Sequence, residues 1–262
     1  MVHHVSGTSV GGRVRGLTMQ MSVIEGFKSA PHYSEIAGRR VLITGMTQTC
    51  GVDIARAFAE QGAKLVLQFD ETSEEMQAVG EMLAPLAADI AIFAGCPKGT
   101  DDIVKFARSA MTAVGGIDAV INIVALDKPV ADGATPEAIE RAISELLLLP
   151  CLVSRIAANR MRLTLTEGVV LTIATMPGDA DAMTHAFASV AKAALAAMTR
   201  GEARQWADQA IRFNAVAPAA LGDHAQPALG GETDIAALAL YLMSGRGKAL
   251  SGLVFEADGA ST

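Results

Sequence analysis

Along the chain, short apolar and β-branched runs alternate with longer stretches whose apolar residues recur every three or four positions. "RRVLITG" is followed by "GVDIARAFAEQG", "AKLVLQF" by "SEEMQAVGEMLAPL", "DIAIFAG" by "DDIVKFARSAMTAVGG", and "IDAVINIVA" by a long helical pattern from about Thr135 to Met161. "GVVLTIAT" then precedes "HAFASVAKAALAAMTR", "IRFNAVAP" precedes a last helix near Glu232 to Met243, and "GLVFEADG" closes the series. Continuous apolar runs bounded by glycines suit strands buried on both faces, whereas the 3.6-residue period suits amphipathic helices. Six strand–helix units and a closing strand, joined by right-handed crossovers, predict a seven-stranded parallel sheet with helices on both faces. The fold class is therefore α/β, a single Rossmann-type doubly wound domain. Residues 1–35 are rich in Gly, Ser, Thr and Val without sustained periodicity, so a flexible N-terminal arm is expected before a domain spanning 36–262. Met19 and Met21 are alternative translation starts under that reading.

Composition narrows the function classes. The 262 residues are 51% hydrophobic but only 4% aromatic, which fits a large core built from small helix-packing side chains. Lys and Arg number 21 against 28 acids, a net charge of −7, and the basic residues form no stripe, so nucleic acid is not an expected partner. The most apolar runs, "ELLLLPCLV" and "IAALALYLM", are too short to span a bilayer, and no continuous apolar export segment opens the chain. Cys50, Cys96 and Cys151 are odd in number and far apart, which points to free thiols in a reducing, cytoplasmic setting and to no metal site.

Candidate chemistry begins at "VLITGMTQTCGVDIA", where Gly45 and Gly51 fall in the turn between the first strand and its helix. Such a turn lets backbone N–H groups approach a pyrophosphate at the helix N-terminus, where the dipole favours an anion. The same two glycines also suit a tight strand-to-helix connection with no ligand at all.

Taken with "IDAVIN", "GVVLTIAT", Lys192 in "KAALAAMTR", "IRFNAVAP" and the ending "SGLVFEADGAST", the turn resembles the short-chain dehydrogenase/reductase family in order and spacing, from about Gly38 to Thr262. The resemblance implies an NAD(P)-linked oxidoreductase acting on a small carbonyl or alcohol. In that family a tyrosine, its pKa lowered by a lysine four residues on, moves the substrate proton while a serine orients the carbonyl. Lys192 stands at the lysine position and Thr175 at the serine position, but Ala188 replaces the tyrosine. The only tyrosines are Tyr33 and Tyr241, and neither can lie one turn before Lys192. The family's helix asparagine aligns with Leu146; Pro150, four residues later, cannot bond back to the Leu146 carbonyl, which is thereby freed for a water or simply marks a kink. His185, seven residues before Lys192, is the one ionisable candidate replacement, and it reads equally as a solvated residue near a helix start. His224 is expected in a surface loop.

The resemblance also maps the cofactor positions. Gly45, Thr49, Gly51, Asp70, Asn122 and Lys192 are the candidate contacts. Thr49 stands for the middle glycine, Ile123 and Val124 interrupt the family's "NNAG" stretch, and Gly95 falls where an adenine-contacting acid is expected. Phe69 occupies the acid position of NAD-specific members, with Asp70 one residue late, and no Arg or Lys stands there or beside Gln48 to receive a 2′-phosphate. NAD is thus expected over NADP. The connection "AALGDHAQPALGG" is short where the family carries a substrate-covering loop. Lys192 then has two readings: survivor of a working site with Thr175 and His185 or water, or remnant in a dehydrogenase-derived binding or partner subunit. Loss of tyrosine, asparagine and lid together favours weak or absent ordinary hydride transfer. The apolar "ISELLLLPCLVSRIAANRM" and lysine helices predict a homodimer or homotetramer, or assembly with an active relative.

Overall fold

The computed structural model describes residues 32–47, 50–126, 135–176, 182–218, 229 and 231–257, without the side chains of 136–145 and 182–184. Expectations for Gln48, Thr49, His224, residues 219–228 and the arm before His32 lie outside the described residues. Strands β1 (Arg40–Met46), β2 (Lys64–Phe69), β3 (Asp89–Ala94), β4 (Ala119–Ala125), β5 (Gly168–Thr175), β6 (Ile211–Pro218) and β7 (Val254–Ala257) form one sheet. Helices α1 (Val52–Glu60), α2 (Glu74–Leu83), α3 (Gly99–Ala113), α4 (Pro136–Leu163), α5 (Ala182–Gln205) and α6 (Glu232–Met243) connect them in strict alternation. The strand order is β3-β2-β1-β4-β5-β6-β7 and every pairing is parallel, as the sequence pattern predicts. The order reverses between β1 and β4, which opens a crevice at the carboxyl ends of those strands.

The two faces of the sheet follow from the period of two along each strand. Val41 and Ile43 point to one side, into a core with Ile54 and Phe58 of α1 and Leu238 and Leu240 of α6. Leu42, with Val120 and Val170, points to the other, against Ile103 and Met111 of α3 and Val153 and Met161 of α4. Central strands buried on both sides are why the sequence reads as unbroken apolar runs. Edge strand β3 is the exception, with Ile92 partly exposed. Tyr33 and Ile36 are buried, and the Tyr33 N–H donates to Gln61 Oε1 at 2.7 Å, so the packed body begins before Arg39.

At the opposite, amino-terminal ends of these strands, Arg40 clamps β1 to the start of β4. Its N–H and Nε donate to Asp118 Oδ2 at 2.8 and 2.7 Å, and Nη2 donates to Oδ1 at 2.9 Å. Burial opposes the Asp118 charge, but the Arg40 hydrogen bonds and charge outweigh it and hold the carboxyl below its ordinary range.

Candidate active site

The turn from β1 to α1 is built largely by the protein for itself. Gly45 and Gly51 have φ of +73° and +95°, in the left-handed region that favours glycine. A Cβ on Gly45 would overlap the Ile123 carbonyl oxygen, so this glycine is required by the close approach of β1 to β4. A Cβ on Gly51 would lie 2.7 Å from Ile123 Cδ1 and 2.9 Å from Met46 Cγ. The space beside both glycines is therefore filled by Ile123 and Met46. The Gly45 N–H donates to the buried Gln68 Oε1 at 2.7 Å, while Gln68 Nε2 reaches the Gly95 carbonyl at 3.2 Å and Asp70 Oδ1 at 3.3 Å. Thr47 and Cys50 close the turn on itself, through Thr47 N–H to the Cys50 carbonyl and Cys50 N–H to Thr47 Oγ1.

At the head of α1 stands a second acidic side chain. Gly51, the residue preceding the helix, has no side chain with which to cap it. Glu232, the first residue of α6, supplies the acceptor instead: its Oε1 takes the N–H groups of Asp53 at 2.8 Å and Ile54 at 3.3 Å. Burial raises the Glu232 carboxyl above its ordinary range, only partly offset by those N–H groups, and the nearby Asp53 charge pushes it the same way.

Asn122 and Asp70 are placed inside the protein's own network. Asn122 is buried on β4; its Oδ1 accepts from Thr44 Oγ1 at 3.0 Å and its Nδ2 donates to Ser154 Oγ at 2.9 Å. Phe69, at the end of β2, is 3% exposed and belongs to the main core. Asp70 follows it, half-buried, with Gln68 Nε2 on its carboxylate. The α1 donors at Asp53 and Ile54 are thus engaged within the chain, where the spacing alone implies helix donors free for a dinucleotide.

The candidate proton-transfer positions lie on β5 and α5. Thr175 ends β5, half-buried, and its carbonyl accepts the Leu126 N–H at 2.8 Å. Ala188 is 6% exposed, in an apolar cluster with Val124, Leu126, Ala174, Met176, Phe187, Ala191 and Leu195. Leu146 and Leu147 of α4 pack against that cluster, so Leu146 and Ala188, which the resemblance sets at the family's asparagine and tyrosine positions, both face hydrocarbon. His185 is half-buried near the start of α5, and its carbonyl accepts from Ser189 Oγ at 3.0 Å. Lys192 donates from Nζ to Glu256 Oε1 on β7 at 2.5 Å, each side chain 25% exposed. Among the described residues no group of three or more His, Cys, Asp and Glu is arranged to hold a metal ion, and no helix is long and apolar enough to cross a membrane.

A family model described as short chain dehydrogenase matches residues 39–228, most of the chain. The chain belongs to the short-chain dehydrogenase family. An uncharacterized oxidoreductase of Mycobacterium tuberculosis is 30% identical over 249 residues, 84% of this chain and 91% of that protein. Among solved structures, a hydroxysteroid dehydrogenase from Escherichia coli superposes with a TM-score of 0.71 at 25% identity, over 86% of this chain and 97% of that one. A 7α-hydroxysteroid dehydrogenase complexed with NADH and 7-oxo glycochenodeoxycholic acid gives a TM-score of 0.69 at 24% identity, over 87% of this chain and 95% of that one.

Glu232, Glu256 and Gln68 were not singled out by sequence reasoning. Glu256 carried a signal, a charge between buried Phe255 and Ala257 on the closing strand, since strand alternation turns it to the face opposite the one they pack into. Glu232 carried none, because its partners Asp53 and Ile54 are 179 and 178 residues away in the chain.

Proposed function

We propose that this short-chain dehydrogenase has weak or absent ordinary hydride transfer and serves as a non-catalytic binding or partner subunit. The observation that carries this reading is Ala188, sealed among Val124, Leu126, Met176 and Phe187 where a proton donor would stand. A positioned acid or base contributes roughly 10²–10⁴-fold to rate, and neither a methyl group nor its apolar neighbours can move a proton. The ion pair of Lys192 with Glu256 supports the same reading, since it engages the ammonium within the chain. Any dinucleotide would be NAD rather than NADP, because Phe69 and Asp70 offer no cation to a 2′-phosphate. Assembly as a homodimer or homotetramer in the cytoplasm completes the proposal. It rests on half-buried Leu148, Leu149 and Leu152 on α4 and exposed Val190 on α5.

A second reading, an NAD-dependent dehydrogenase using Thr175, Lys192 and His185 or water on a small carbonyl or alcohol, draws on the partial exposure of all three side chains. The two are separated by assaying wild type and Ala188→Tyr for NADH- and NADPH-dependent reduction of a ketone and aldehyde panel. Both proteins are expected at background, because substrate positioning is lost along with the acid. Wild-type turnover that falls on His185→Ala establishes the second reading. Robust turnover by Ala188→Tyr alone shows that only the acid is missing.

A further inference from the structure

The first turn of any helix presents backbone N–H groups without intrahelical partners, and its positive end attracts an anion. In a Rossmann-type sheet, the helix that follows the first strand is where a dinucleotide's pyrophosphate sits. Here that helix is α1, and its donors at Asp53 and Ile54 already meet a carboxylate of the same chain. The arrangement has a structural cause. Helices α1 and α6 pack on the same face of the sheet, so the first residue of α6 comes to the head of α1. Gly51 cannot cap the helix, which leaves the donors to a distant side chain.

We propose that Glu232 is an internal occupant of the anion position of α1, so that a dinucleotide binds this chain only by displacing it. An N–H shared between two acceptors serves each poorly, and a pyrophosphate brought to this turn also meets two acids, Glu232 and Asp53. Asp53 is itself tied down, paired with Arg56 and accepting from Thr233 Oγ1 at 3.3 Å. The Asp53 and Ile54 donors thereby have an acceptor within the chain. This inference goes beyond the loss of hydride transfer: an inactive chain could bind NADH well, and an active one could bind it only after Glu232 moves.

The test is calorimetric titration of the full chain with NADH, comparing wild type with Glu232→Ala and Glu232→Gln, each checked for native circular dichroism and melting. Glu232→Ala vacates the position and is expected to tighten NADH binding at least about tenfold; Glu232→Gln removes the charge but keeps an acceptor oxygen, so a gain of at least about threefold is expected. Smaller gains in folded variants overturn the proposal, as does absence of saturable binding by every variant up to about 5 mM NADH. If Glu232→Ala does not fold, the near-isosteric Glu232→Gln decides by its own threshold. Turnover is not read in this titration, so its failure leaves the Ala188 reading untouched and the reverse holds too.

Discussion

At the head of α1, backbone donors meet the Glu232 carboxylate; around Ala188, methyl groups meet methyl groups. Both regions lie at the carboxyl end of the sheet, where a parallel α/β fold places its ligands. In the first, glycines and helix donors persist, and polar groups from elsewhere in the chain satisfy them. In the second, where the family resemblance leads one to expect polar side chains, Ala188 and Leu146 stand in an apolar cluster. The difference is one of reversibility. A charge seated on a helix end can be removed by one substitution that leaves the backbone donors in place, whereas an apolar cluster has no donor left to expose.

The largest effect is expected from Gly45→Ala. A Cβ there collides with the Ile123 backbone at a residue with positive φ, and neither strand can retreat, so stability should fall by roughly 3–5 kcal/mol in urea or thermal unfolding. A loss under about 1 kcal/mol would mean that the turn adapts, and that its glycine was not fixed by the fold. Next in size is Phe187→Ala in the second region. If the cluster is true core, removing this nearly buried ring costs about 3 kcal/mol; if it is the lining of an open substrate pocket, the cost is slight.

The smallest expected effect concerns pH. Burial raises the folded-state pKa of Glu232, so its contribution to stability is fully present below the unfolded carboxylate range and is lost as pH rises through the folded value. Glu232→Gln should therefore improve in stability relative to wild type as pH rises from about 4 to 7, measured as the difference between two chemical-denaturation series. A difference that shrinks over that window would mean that the α1 N–H groups outweigh burial at this carboxyl.

The architecture was legible because each strand announces itself. Runs such as "VLITG" and "GVVLTIAT" are buried on both faces, and that demand leaves the parallel sheet and its helix layers as the consistent arrangement. The departures from the family resemblance at Ala188, Leu146 and Phe69 were equally visible, since each is a residue type that the resemblance does not lead one to expect at that spacing. The partners that engage the α1 donors and Lys192 were not. Glu232 reaches α1 and Glu256 reaches Lys192 across long stretches of chain, and a carboxylate that contacts another helix looks in sequence like any solvated acid. Asn122 shows the converse: its identity suggests a ligand contact, but its hydrogen bonds to Thr44 and Ser154 knit β1, β4 and α4 together.

The most direct test of lost hydride transfer uses the wild-type chain and NADH carrying deuterium at both C4 positions, incubated with a mixed panel of small ketones and aldehydes. Mass spectrometry then reads deuterium at the new carbinol carbon, which detects transfer far too slow for an absorbance assay. The expected result is incorporation no greater than in a protein-free control, because among the described residues Ala188 packs in an apolar cluster whose members cannot donate a proton. Protein-dependent deuteration that disappears in Lys192→Met or His185→Ala would contradict it, and would show a working site assembled without the tyrosine.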